Sequence, residues 1–67
     1  MPPKYDNRVI LEFIPRGAYV KVSAVDPVTG TEVSIVGDPT RGEAALRQLA
    51  IRKLEYVMNK RKKEGRR

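Results

Sequence analysis

The sequence predicts an α+β domain of order β-β-β-α, a three-stranded antiparallel meander packed on one C-terminal α-helix. Two observations carry that prediction. Three short runs alternate apolar and polar residues with a period of two, and Pro/Gly turn chemistry closes each one. A long final run instead places its apolar residues at three- and four-residue steps.

The first alternating run starts at Arg8, with Val9, Leu11 and Phe13 on one face and Arg8, Ile10, Glu12 and Ile14 on the other. Pro15-Arg16-Gly17 ends it, since proline fixes φ and glycine permits positive φ. The second run, 19–26, puts Val20, Val22 and Ala24 inside and Tyr19, Lys21, Ser23 and Val25 outside. Asp26-Pro27-Val28-Thr29-Gly30 is a turn, and the third run, 31–36, buries Val33 and Ile35. Four-residue loops at 15–18 and 27–30 satisfy both hairpins. They set Phe13 opposite Val20, Leu11 opposite Val22 and Val9 opposite Ala24. They also set Ala24 opposite Val33 and Val22 opposite Ile35. On the outer face this register places Glu12 against Lys21, a stabilising cross-strand charge pair.

The helix spans 41–62, and either Asp38 before Pro39 or a Thr40–Glu43 capping box starts it. Its apolar stripe is Leu46, Leu49, Ala50, Leu54, Val57 and Met58, with Ile51 and Tyr56 on the edges. That arc is wider than a small sheet needs for cover. The predicted core is therefore Val9, Leu11, Phe13, Val20, Val22, Val33, Ile35, Leu46, Leu49, Ala50, Leu54 and Val57. Exposure of Val20 and Val22 would refute the register. Residues 1–7, with two prolines, read as a flexible arm, 8–62 as the single domain and 63–67 as a disordered basic tail.

Composition narrows the function. A chain of 67 residues makes one domain, and at this size it buries only about 60% of its unfolded surface. It has no Cys and no His, which excludes disulfides, thiolate metal sites and the commonest metal ligand. Such an unstapled core points toward self-association. The longest strictly apolar runs, such as Val9-Ile10-Leu11, are three residues, too short for a signal peptide or a membrane span. The expected setting is soluble and cytoplasmic.

The net charge is +6, but it is unevenly placed. Residues 60–67 hold six basic residues against Glu64 and net +5, whereas 1–59 hold eight basic and seven acidic residues and net +1. The excess lies in the C-terminal run.

Enzymatic chemistry finds little footing. Ser23 and Ser34 have no His as base, and Lys21 alone is weak support for a Ser-Lys pair. Asp26 and Glu32 lie near one hairpin end and are weighed as a cation site, although turn chemistry accounts for Asp26. The segment Gly37-Asp38-Pro39-Thr40-Arg41-Gly42 has glycines before a helix N-terminus. It lacks the Gly-Lys-Ser/Thr ending of a phosphate-binding loop, and Asp38 and Glu43 would repel an anion. The reading is thus no enzyme, no cofactor, no metal and no small-molecule substrate.

Two functions remain. The first is a non-enzymatic interaction module that self-associates through an apolar helix or sheet surface, with Ile51, Tyr56 and Met58 as candidate contacts. Its partner is a second copy or an unidentified protein. The alternative is non-specific, phosphate-directed nucleic-acid binding through the basic end. Its candidate contacts are Arg52, Lys53, Lys60, Arg61, Lys62, Lys63, Arg66 and Arg67. The plainer reading of that end is a solvated helix terminus whose cations complement the helix dipole.

The stretches G-A-Y-V-K-V-S-A-V-D-P-V-T-G-T-E-V-S-I-V-G (17–37) and G-E-A-A-L-R-Q-L-A-I-R-K-L-E-Y-V (42–57) resemble a family of short, uncharacterised alphaproteobacterial proteins. The string V-D-P-x-T-G-x-E-V joined to this helix carries the resemblance, which extends over roughly residues 8–60. It implies a bacterial cytoplasmic protein, complete rather than a fragment, and brings no activity, cofactor or catalytic residue. The basic tail lies outside the resembling stretch.

Overall fold

The computed structural model describes residues 9–65, with backbone alone for 62–65. Strands β1 (Ile10–Arg16), β2 (Tyr19–Val25) and β3 (Glu32–Gly37) form one antiparallel sheet in the order β1-β2-β3. A 3₁₀ turn (Pro39–Arg41) leads into the helix α1 (Glu43–Gly65). The domain is a slab of 42 × 26 × 16 Å, one sheet layer and one helix layer thick.

The faces are those the alternation predicts. Val22 and Ala24 are fully buried at the centre, with Val20, Val33, Leu46, Ala50 and Leu54 around them. Val9, Leu11, Phe13, Ile35, Val57 and Met58 pack half-buried at the margin of this core.

The β1–β2 register differs from the expected one by two residues. Leu11 pairs with Ala24, Phe13 with Val22 and Pro15 with Val20, and only Gly17-Ala18 forms the turn. Gly17 holds φ +61, the positive φ that a two-residue hairpin with glycine first requires. Pro15 therefore continues β1 instead of ending it, which the strand tolerates because it lies at the edge of the sheet. The slip is even, so core and solvent faces are preserved. The expected Glu12–Lys21 pair is not made: Glu12 lies opposite Ser23, and Ile14 opposite Lys21.

The β2–β3 register is the predicted one, with Ala24 opposite Val33 and Val22 opposite Ile35. Asp26 N–H donates to Thr31 O at 2.9 Å and Gly30 N–H to Asp26 O at 2.7 Å, which closes the 27–30 loop.

Helix α1 starts at Glu43, two residues later than expected, and runs to Gly65, past the expected end at 62. The stretch 63–65 is thus helical, and 66–67 lie outside the described residues, as does all of the expected arm. Asp38 caps the 3₁₀ turn, accepting from Thr40 N–H and Thr40 Oγ1, each at 2.9 Å. With Thr40 so engaged, the expected Thr40–Glu43 box gives way to the Asp38 cap.

Leu49 does not join the core and is 39% exposed. The buried row is Leu46, Ala50 and Leu54, one residue every four, and Leu49 lies about 100° round the helix from Ala50. At Gly37 the helix comes so close that a Cβ would collide with Leu46 Cδ2.

Candidate interaction surface

The described residues contain no cluster of carboxylates able to hold a metal ion. Of the two carboxylates weighed as a cation site, Asp26 is engaged in the fold and Glu32 is exposed. Asp26 is 2% exposed. Its Oδ1 accepts from Val28 N–H at 3.3 Å and its Oδ2 from the Thr29 hydroxyl at 3.0 Å. Thr29 Oγ1 and Thr31 Oγ1 lie 2.8 Å apart, and Arg61 Nη1 donates to Thr31 Oγ1 at 3.3 Å. A run of donors thus leads from the helix, through two threonines, into a buried carboxylate. Asp38 fills the N–H position that an anion would need. Its carboxyl is held below the ordinary range by the Thr40 backbone and side-chain hydrogen bonds, with Arg41 adding attraction.

The structure scatters the candidate nucleic-acid residues. Lys53 Nζ donates to the Ser34 carbonyl at 2.9 Å, so Lys53 and Arg61 are both tied to the sheet. Lys60 is exposed on the same side of the helix as Lys53, seven residues on and about 20° round, and Arg52 is exposed about 80° from Lys60. The side chains of Lys62, Lys63, Arg66 and Arg67 lie outside the described residues. Arg47, exposed, borders a groove on the β1 side of the helix.

The three helix residues proposed for self-association do not form one surface. Ile51 lines that groove, about 440 Å³, with Leu11, Ala44 and Gln48. Met58 packs on the core margin. Tyr56, 66% exposed, projects about 140° round the helix from Ile51, on the side of Leu49. The wide apolar arc is therefore two separate edges with the buried row between them.

The largest uncovered surface among the described residues is the outer face of the sheet, where apolar residues alternate with a polar rung. Its rungs are Ile10–Val25–Glu32, Glu12–Ser23–Ser34, Ile14–Lys21–Val36 and Arg16–Tyr19. Ile10 (57%), Val36 (63%) and Tyr19 (47%) are exposed, and Ile14 and Val25 are half-covered. Helix α1 packs on β2 and β3 from the opposite face, so no described element covers this one. Ser23, on the middle strand, is nonetheless buried among its neighbours.

These features define a two-layer β-β-β-α module with one bare sheet face. The family model for the domain of unknown function DUF6898 matches residues 6–62, and the chain belongs to that family. No curated protein and no solved structure matches it. No helix among the described residues is long and apolar enough to cross a membrane.

Proposed function

We propose that this protein is a non-enzymatic interaction module that self-associates through the outer face of its sheet. The exposure of Ile10, Tyr19 and Val36 on one uncovered face carries this reading. The described residues supply one helix for one sheet, so among them one sheet face has no packing partner.

The size of the face sets the strength of the contact. Two strands of seven residues and one of six, three abreast, offer at most roughly 24 by 14 Å, or about 340 Å² in projection. A standard interface buries about 800 Å² per partner. The assembly is thus a reversible dimer that dissociates on dilution.

Sedimentation velocity over a dilution series tests this. The sedimentation coefficient should fall toward the monomer value on dilution, and raised salt should weaken the association without abolishing it, since the apolar contacts remain. Val36→Asp should give monomer at every concentration, with an unchanged far-ultraviolet circular dichroism spectrum. A wild-type chain that sediments as monomer throughout overturns the reading.

The phosphate-directed alternative draws less support, because Lys53 and Arg61 are engaged with the sheet and Arg52 and Lys60 diverge. Salt-steep binding of duplex DNA that is lost in a chain ending at Asn59 would put it first.

A further inference from the structure

We infer that the two copies stack with their strands reversed, about a two-fold axis running across the strands, so that Glu12 of each copy meets Lys21 of the other. This rests on the self-association proposed above and specifies its symmetry. Among the described residues, the charges on the outer face are segregated along the strands. Glu32 and Glu12 occupy the two rungs at the Val25 end, and Lys21 and Arg16 the two rungs at the Tyr19 end. Asp38, just beyond β3 at the basic end, has its carboxylate turned back to Thr40.

A face-to-face dimer needs a two-fold axis lying in the plane between the sheets. An axis parallel to the strands through β2 keeps every rung on its own copy. Lys21 then stands over Lys21 of the second copy at the centre of the contact, where like charges are costly. An axis across the strands, at the level of Val22, exchanges the rungs. The Glu12 rung then lies over the Lys21 rung, and the Val25 rung over the Tyr19 rung. Each β1 lies over its own copy and Lys21 sits on the adjacent strand, about 5 Å to the side of Glu12. Both side chains reach across a gap of about 10 Å between sheets. Two symmetry-related ion pairs result, and Val25 meets Tyr19 in the apolar part.

Charge reversal with mixing distinguishes the two axes. Lys21→Glu and Glu12→Lys should each weaken homodimerisation by about tenfold or more, since each turns two attractive contacts into two repulsive ones. An equimolar mixture of the two variants should recover wild-type affinity, because the mixed dimer has an opposite-charge partner at every contact. Glu12 is exposed, so Glu12→Lys leaves the fold intact even where Lys21→Glu perturbs it. Circular dichroism of each variant checks this. A wild-type dimer indifferent to both reversals overturns the inference and leaves self-association standing. Preferential pairing of Lys21→Glu with wild type also overturns it, in favour of the axis along the strands. A wild-type monomer at all concentrations overturns both readings.

Discussion

Replacing Gly37 by alanine probes how closely α1 approaches the sheet. Gly37 ends β3 in ordinary strand backbone, without positive φ, so alanine is not excluded by conformation. On that count alone the change would stabilise the protein by about 0.4–1 kcal/mol, through a stiffer unfolded chain. The new methyl, however, would collide with Leu46 Cδ2. Leu46 is 2% exposed and belongs to the buried core, so it moves only by repacking that core. Inserting a carbon into a packed core costs about 1–3 kcal/mol. The collision wins, and the net loss is about 1–2 kcal/mol. For a domain of this size that lowers Tm by roughly 5–15 °C. The assay is thermal melting followed by circular dichroism at one fixed protein concentration, since association makes Tm concentration-dependent. Repeating the change in a Leu46→Val background isolates the contact. With the clashing carbon gone, Gly37→Ala should be neutral or stabilising there, a coupling of at least about 1 kcal/mol. A Gly37→Ala protein that melts at or above the wild-type temperature would refute the close helix–sheet approach.

Two further predictions concern the polar caps. Asp26→Ala strips the buried acceptor from Val28 N–H and the Thr29 hydroxyl in a turn whose other residues are exposed, and should cost about 1–2 kcal/mol in urea unfolding, with Asp26→Asn costing less. An unchanged midpoint would show that the carboxylate does not hold the turn. Asp38 has a depressed folded pKa, so its contribution is full above the ordinary carboxylate range and is lost as pH falls through the folded value. Asp38→Ala should remove that part of the acid dependence of the urea midpoint. Parallel pH profiles for the two proteins would contradict the cap.

The faces of the sheet were legible in the sequence because a period of two is a strong signal. That same signal cannot distinguish a register from one shifted by two, as the β1–β2 pair shows. Hairpin length decides between them, and Pro15 looked like a stop when it is an edge-strand residue. On the helix, alternation at three and four residues marked Leu46, Ala50 and Leu54, but the phase of a wide arc is poorly fixed. Leu49 and Tyr56 therefore read as continuous with Ile51 and Met58, although they lie on the far side. The outer sheet face was visible as mixed. Its segregated charges depend on which strand neighbours which residue, and so emerged only with the register. The roles of Lys53 and Arg61 had no local signal, since each contact joins the helix to a distant part of the sheet.

The two borders of the sheet bear on how an associating protein of this kind avoids open-ended growth. In a two-residue hairpin Arg16 and Tyr19 exchange backbone bonds, so the nitrogen of Pro15 points away from β2. A chain docking along β1 finds no donor there. Along β3, Lys53 already occupies the Ser34 carbonyl, which points outward. Edges interrupted by proline and lysine make poor templates for strand addition. Filaments that lengthen by pairing strand to strand are hindered at both borders. Stacking on the flat side satisfies itself in a closed pair. The placement of one proline and one lysine thus confines the proposed self-association to the flat side of the sheet, where a closed pair is finite.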